Sequence, residues 1–140
     1  MFKITRLADY GIMLMARFAK GTPSRSARDL AAESRVPQPT VSKVLKALAK
    51  HGLLEAHRGV NGGFRLARKP DQVSIAEIIE ALEGPIAFTE CCGGPCQLES
   101  HCVVGGNWRK INGAIARALR TVTLADMIDS SRPAAFRITV

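Results

Sequence analysis

The 140-residue sequence contains no apolar run that approaches the roughly 20 residues needed to cross a membrane. Its N-terminus also lacks the apolar stretch of a secretory signal, so we expect a cytoplasmic protein with no membrane partner. No nucleophile motif or substrate-binding signature is present, which argues against an enzyme; a thiol enzyme that pairs a cysteine with His101 is the one enzymatic alternative. With 46% hydrophobic residues, a chain of this length builds one core and little more.

Acidic residues are scarce in the N-terminal half. Residues 1–70 contain 14 Lys and Arg against 4 Asp and Glu, a net charge of +10, whereas residues 71–140 contain 6 against 8, a net charge of −2. Lys and Arg gain affinity for phosphates by releasing condensed counterions. The first half is therefore expected to bind a polyanion, and the alternative is a solvated basic surface.

Apolar residues at helical spacing predict three helices in this basic half, over about residues 4–20, 26–34 and 40–50. The last two are short and joined by a four-residue turn, which is the layout of a helix-turn-helix. The polar face of the third helix would enter the major groove of DNA, although an ordinary helical hairpin with a solvated face has the same pattern. The candidate DNA-binding residues on this face are Gln38, Thr40, Ser42, Lys43 and Lys46.

A glycine-rich β-hairpin is predicted next, with strands over residues 53–58 and 64–68 around a turn at residues 59–63. A helix-turn-helix followed by a hairpin is the order of a winged helix. Glycines let the tip approach a groove, and an arginine beside the tip is able to enter the minor groove. The candidate DNA-binding residues of the wing are Arg58, Asn61, Gly62 and Arg65, and the predicted partner is a double-stranded DNA operator.

The second half of the sequence is predicted to complete the winged domain and then to form a loop, two helices and a tail. A capping pattern at Ser74 and Glu77 opens a helix that Gly84 ends, which limits the winged helix-turn-helix domain to residues 1–84. We expect a cysteine-rich loop over residues 85–103, a long helix with a short terminal helix over 104–130, and a loosely held tail over 131–140. The fold class is thus mainly α with a small β-hairpin.

The long helix has a single apolar seam, made of Val104, Trp108, Ile111, Ile115, Leu119 and Val122. Such a seam packs either on its own domain or on a second copy of the chain. Regulators that read paired half-sites on DNA are commonly two-fold symmetric. We therefore predict a homodimer in which this segment is the dimerisation helix.

All four cysteines lie in one stretch, at Cys91, Cys92, Cys96 and Cys102. In a reducing compartment such crowding favours metal or redox chemistry over structural disulfides. Thiolates are suited to iron-sulfur clusters and to zinc, but this spacing matches neither the paired C-x2-C ligands of structural zinc sites nor the ferredoxin patterns. An iron-sulfur cluster, a zinc ion and a thiol switch therefore all stay open on the residues alone.

Several segments together resemble the Rrf-type winged-helix iron-sulfur transcription regulators, the family of IscR-like and NsrR-like proteins. They are ITRLADY at residues 4–10, GLL at 52–54, RGVNGGF at 58–64, and the cysteine loop before a helix that carries a tryptophan. The resemblance covers about residues 1–130. Within the family, CCGGPC at residues 91–96 and GGNW at 105–108 most resemble the branch that regulates the SUF iron-sulfur cluster assembly operon.

The resemblance implies a homodimer with crossed long helices, in which each subunit holds a 2Fe-2S or 4Fe-4S cluster near the DNA-binding domain of its partner. Cluster state would then set DNA affinity. It also implies that Arg58 is the wing arginine and that Gln38, Thr40 and Lys43 lie where the recognition helix meets bases.

The ligand set implied by the family consists of three cysteines separated by five residues each. Cys96 and Cys102 keep that spacing, whereas the first gap is shorter by one residue from Cys91 or by two from Cys92. We favour Cys91, Cys96 and Cys102 as ligands, with Cys92 in reserve.

The fourth ligand differs between branches of the family. IscR-like members use a histidine at the position that Gly105 occupies here, and NsrR-like members use an acidic residue near the N-terminus of the other subunit, where Asp9 is the match. His101 is a rival ligand. The alternative role for Asp9 is a surface or helix-capping carboxylate.

These features predict a DNA-binding transcription regulator, acting as a repressor, whose operator affinity is controlled by an iron-sulfur cluster and whose targets are SUF cluster-assembly genes. A winged-helix transcription factor without a cluster, stabilised by zinc or switched by thiol oxidation, is the alternative.

Overall fold

The computed structural model describes residues 3–21 and 24–129, which form a mainly helical fold with one antiparallel β-hairpin, as the sequence predicts. The predicted tail, residues 131–140, lies outside the described residues. The elements in chain order are α1 (Arg6–Lys20), α2 (Ala27–Ser34), α3 (Gln38–Lys50), β1 (Leu54–His57), β2 (Gly63–Leu66), a 3-10 turn (Pro70–Gln72), α4 (Ile75–Glu83), α5 (Glu90–Gly93), a second 3-10 turn (Glu99–His101), α6 (Gly105–Thr121) and α7 (Leu124–Ile128).

The observed elements differ from the sequence prediction in the start of α3, in the strand lengths and in the cysteine-rich stretch. Helix α3 begins at Gln38, two residues earlier than expected, because Pro39 fits the first turn of a helix, where a missing N–H removes no intrahelical bond. Both hairpin strands are shorter than predicted, at four residues each. The cysteine-rich stretch, predicted as a loop, contains the single helical turn α5.

The core lies within residues 1–84, where α1, α3 and α4 pack together, and α7 returns from the far end of the chain to complete it. Leu124 of α7 is fully buried, and its N–H donates to the carbonyl of Val73 at 2.8 Å. Ile75 donates in turn to the carbonyl of Val122 at 2.9 Å. The end of the C-terminal region is therefore anchored on the winged domain.

Gly11 interrupts the apolar pattern of α1 for a reason that the sequence alone does not reveal. It is buried where α1 crosses α4, and a Cβ at this position would lie 2.2 Å from Cδ1 of Leu82. The missing side chain allows the two helices to approach closely.

A capping box fixes the start of α4. The Ser74 side chain accepts from the N–H of Glu77, and the Glu77 carboxylate accepts from the N–H of Ser74 at 2.9 Å and from Arg68 at 2.7 Å. Burial raises the pKa of Glu77, but the hydrogen bonds from Ser74 and the charge of Arg68 outweigh it, so this pKa lies below its usual value. Arg68, at the base of the hairpin, thus has a structural role.

Helix α6 is packed at its C-terminal end and exposed toward its N-terminus. Leu119 and Val122 pack against the core, whereas Val104, Trp108 and Ile111 are 46%, 36% and 44% exposed. The predicted seam is thus divided between the core and the surface. No helix within the described residues is long and apolar enough to span a bilayer.

Candidate functional site

Helix α3 presents a polar face opposite a fully buried apolar one. Val41, Val44, Leu45 and Leu48 have no exposed surface. On the other side, Gln38, Lys43 and Lys46 are exposed, and Thr40 and Ser42 are half-buried. Neither of the two lysines pairs with a carboxylate among the described residues. The five candidates on α3 therefore share one accessible, unneutralised surface, which suits contact with phosphates and base edges.

The hairpin is attached to the start of the helix-turn-helix by a third extended segment. Arg25 donates its N–H to the carbonyl of Phe64, and Phe64 donates back to the carbonyl of Arg25, both at 2.8 Å. This close approach leaves no space for a side chain at Gly63, where a Cβ would lie 2.6 Å from the carbonyl oxygen of Arg25. Gly63 therefore fixes the position of the wing relative to the recognition helix.

We expect Gly63→Ala to destabilise the protein by about 1–3 kcal/mol, because the methyl group meets backbone that cannot rotate away. The measurement is urea denaturation followed by circular dichroism. Gly94→Ala is the matched control, since nothing lies within 4 Å of a Cβ there, and its stability should stay within about 0.5 kcal/mol of the parent. Equal stabilities for the two variants would contradict this account of the wing.

The two wing arginines differ in their surroundings. Arg65 lies directly across the hairpin from Glu55, and its Nε donates to the Glu55 carboxylate at 2.8 Å. Arg58 is exposed and has no ion pair among the described residues. At the tip, Asn61 is exposed, and Gly62 closes the turn by donating to the carbonyl of Gly59 at 2.9 Å. Of the two arginines, Arg58 is the one available to DNA without breaking a contact.

Val60 is a tip residue that the sequence reasoning missed. It is fully exposed, at 106% of its reference area, between Arg58 and Asn61. The signal that could have identified it is its place at the centre of the predicted turn, since an apolar side chain there has no core to pack against.

The cysteine segment, residues 85–103, forms side-chain contacts near its beginning. Cys91 and Cys92 lie in α5, and the Thr89 hydroxyl is 3.1 Å from Sγ of Cys91 and 3.2 Å from Sγ of Cys92. Cys96 is half-buried and Cys102 is exposed, and none of the four forms a disulfide. Because the Thr89 hydroxyl contacts both adjacent sulfurs, it does not distinguish the favoured first ligand from the reserve one.

Cys102 lies three residues before the start of α6. Its Sγ is 3.7 Å from the position that a Cβ would take on Gly105, the first residue of that helix.

The described residues contain no group of three or more His, Cys, Asp or Glu side chains placed to hold a metal ion. Asp9 is exposed in the first turn of α1, and His101 hydrogen-bonds through Nδ1 to the hydroxyl of Ser100 at 2.8 Å. The ligand set of Cys91, Cys96 and Cys102 with Asp9 therefore stays a prediction. In chemical terms the segment fits a thiolate-bound metal centre, an iron-sulfur cluster or a zinc ion, because its four free thiols are all at least partly exposed on one short stretch.

Asn112 of α6 holds the beginning of the cysteine segment, a contact that the sequence did not reveal. Its side chain accepts from the N–H of Phe88 at 3.0 Å and donates to the carbonyl of Ile86 at 2.9 Å. Further along, Arg109 of the same helix pairs with Glu99 at 3.2 Å. The segment therefore contacts α6 both before Cys91 and after Cys96.

We expect Asn112→Ala to speed hydrogen exchange of the Phe88 amide by about fivefold, because that N–H loses a hydrogen bond with a net worth of roughly 1 kcal/mol. Exchange is measured by mass spectrometry on peptides that cover residues 84–103. Asn107→Ala is the control, since Asn107 is an exposed asparagine on the same helix whose side chain has no hydrogen bond among the described residues. Identical exchange in the two variants would remove Asn112 as the attachment.

Exposed apolar side chains surround this region. In addition to the exposed part of the α6 seam, Leu98 is 68% exposed and Val103 is 95% exposed. A concentration of exposed apolar surface in a small protein marks an interaction site.

Comparison with known proteins gives a match that spans nearly the whole described chain. Residues 4–130 match the model of the Rrf2 family, described as an iron-dependent transcriptional regulator. The chain is 28% identical over 131 residues to the HTH-type transcriptional regulator NsrR of Shouchella clausii, covering 90% of this chain and 88% of that one.

Several solved structures share this fold, including one of IscR and one of CymR. The IscR structure from T. potens is 28% identical with a TM-score of 0.72, covering 94% of this chain and 89% of that one. The structure of CymR, the global cysteine regulator of B. subtilis, is also 28% identical, with a TM-score of 0.71 and coverage of 91% and 97%.

Proposed function

This chain belongs to the Rrf2 family of transcriptional regulators, and on that premise we propose that it is a homodimeric repressor whose operator affinity is controlled by an iron-sulfur cluster. Its targets in this proposal are SUF iron-sulfur cluster assembly genes. The chain is a transcriptional regulator rather than an enzyme.

The observation that carries the DNA-binding part is the combined surface of α3 and the wing. Its lysines and Arg58 are exposed and lack carboxylate partners among the described residues. The α3 side chains would read the major groove while Arg58 enters the adjacent minor groove.

The exposed part of α6 supports the homodimer. Val104, Trp108 and Ile111 lie on one helical face and leave apolar area in water that a second copy would cover. Because this face is next to the cysteine segment, dimer contacts and ligand binding would involve the same helix.

The residues proposed to hold the cluster are Cys91, Cys96 and Cys102, with Cys92 in reserve and Asp9 of the other subunit as an oxygen ligand. When bound, such a cluster supplies a redox-sensitive group that is gained or lost with the iron status of the cell. An oxygen ligand is weaker than thiolate and easily displaced, which suits a sensor.

Asn112 and the path from α6 to α7 suggest how the state of the segment reaches DNA. Asn112 ties residues 86–88 to α6, and α6 leads through Val122 to α7, whose Leu124 is inserted in the core of the winged domain. A change in the segment would therefore act on the mutual orientation of the two winged domains of a dimer. We expect repression to be relieved when clusters are scarce.

The alternative is a thiol switch without a cluster, favoured by the likeness to CymR and by the four free cysteines of the segment. Oxidation would then join two thiols in a disulfide, with the electrons passing to a peroxide or a disulfide oxidant.

The experiment is anaerobic purification followed by a visible spectrum and by iron, sulfide and zinc analysis of the same sample. A brown protein with iron and sulfide in matching amounts supports the cluster. A colourless protein with stoichiometric zinc, or without metal, refutes the cluster and leaves the DNA-binding proposal intact.

A further inference from the structure

A groove of about 410 Å³ lies between the end of α1, α2 and α7, away from the cysteine segment. Three basic side chains, Arg17, Lys20 and Arg25, line it together with the single carboxylate of Glu33. Met13 and Met127 are among its apolar wall residues. This volume is within the range of sites that bind small molecules.

The groove has an excess of positive charge. Glu33 contacts both arginines, Arg25 in a short ion pair and Arg17 at 3.5 Å. Lys20 is exposed and pairs with no carboxylate among the described residues. Among the described lining residues, one carboxylate therefore faces three cations, which leaves a net charge of +2.

Two hydrogen-bond donors at this groove have no acceptor. The Nε atoms of Arg17 and Arg25 are both buried without a partner among the described residues. A buried donor without an acceptor is unfavourable, and the planar guanidinium group matches carboxylate and phosphate oxygens. Because the Nε atoms themselves are closed to a ligand in the groove, an anion would be held through the other guanidinium nitrogens of these arginines, in addition to their contacts with Glu33.

The groove is connected to the wing through Arg25. The Arg25 guanidinium lines the groove, while its backbone exchanges two 2.8 Å hydrogen bonds with Phe64 in β2. A ligand that moves the Arg25 side chain would therefore act on the strand that supports the wing.

We propose that this groove binds a small organic anion, with its carboxylate or phosphate held by Arg17, Lys20 and Arg25 and a short apolar part against Met13 and Met127. The site does not involve the cysteines, so it is independent of the cluster proposed above. Its ligand would be a second input to the same DNA-binding domain.

The test is a titration of the full-length protein, as purified, with hexanoate, its neutral analogue hexanamide, and inorganic phosphate, at constant ionic strength. Amide shifts are followed by NMR. We expect hexanoate to give saturable shifts confined to residues 13–21, Arg25, Phe64 and residues 127–129, with weaker shifts from phosphate and none from hexanamide. Equal shifts from hexanoate and hexanamide, or shifts spread over the whole surface, would overturn the proposal.

Lys20→Gln and Lys110→Gln form the matched pair. Lys20→Gln should weaken hexanoate binding by about fivefold, the effect of losing a partly solvated charge pair. Lys110→Gln removes an exposed lysine of α6 that does not line the groove, and should leave the affinity unchanged. Equal affinities for the two variants would refute the charge recognition.

A DNA phosphate is the other possible source of the anion, and salt dependence separates the two. If Lys20 contacts DNA, Lys20→Gln reduces the slope of log affinity against log salt for a random-sequence duplex by about one. We expect an unchanged slope. A reduced slope assigns the groove to the DNA backbone and overturns the small-anion proposal, while the operator-binding and cluster proposals stand.

Discussion

Cys96→Ala and Cys102→Ala should each abolish the visible absorbance of the anaerobically purified protein, whereas Cys92→Ala should retain it. The family resemblance implies ligands with five intervening residues, a spacing that Cys96 and Cys102 keep, and a cluster left with two thiolates would lose a soft ligand that holds its iron. The measurement is the visible spectrum with iron and sulfide content per chain.

Cys91 and Cys92 form the control pair for this prediction. They are neighbours in the same helical turn, and both sulfurs contact the hydroxyl of Thr89, so alanine at either position disturbs the segment to a similar degree. Of this pair, we expect Cys91→Ala to lose the cluster and Cys92→Ala to retain it. Loss with Cys92→Ala and retention with Cys91→Ala would exchange the two assignments, and full retention in Cys96→Ala or Cys102→Ala would exclude those residues as ligands.

Arg58→Ala is expected to weaken operator binding by about 1–3 kcal/mol, which corresponds to roughly 5- to 150-fold in affinity. The side chain is exposed beside the wing tip and has no carboxylate partner among the described residues, so its full charge is available to the minor groove. The operator is first obtained by in vitro selection with this protein, and affinity is then measured by fluorescence anisotropy at fixed salt.

Arg65→Ala is the control on the same hairpin. Because Arg65 is paired with Glu55 across the strands, its loss removes less free positive charge, and we expect a several-fold smaller effect on affinity. An unchanged affinity in Arg58→Ala would remove the wing arginine from the recognition surface, whatever Arg65→Ala does.

The helices and the hairpin could be predicted from the sequence because patterns among neighbouring residues determine them. Apolar spacing identifies α3 and its buried face, and a capping box identifies the start of α4. The glycines of the wing indicate a turn, but the sequence does not reveal that Gly63 is required by the approach of Arg25, which is 38 positions away in the chain. Turn α5 is too short to show a helical period.

The parts of the candidate site that could not be predicted depend on contacts between distant residues. The hydrogen bonds of Asn112 join positions separated by 24 and 26 residues, and a lone asparagine on a helix has no pattern that indicates its partner. The division of the α6 seam between core and surface depends on where α7 docks. The family resemblance implies which cysteines would bind metal, but it does not determine how the segment is folded.

The attachment of the cysteine segment at both ends to α6 makes it a closed loop. Asn112 fixes it near Phe88, and Gly105 joins it covalently to the first turn of the helix. The conformational entropy lost in closing such a loop is incurred when α6 folds and not when a ligand arrives. Metal uptake at the proposed ligands would rearrange the thiols within a loop whose ends are already fixed, and it should therefore show a smaller heat-capacity change in calorimetry than the folding of a disordered stretch around its ion.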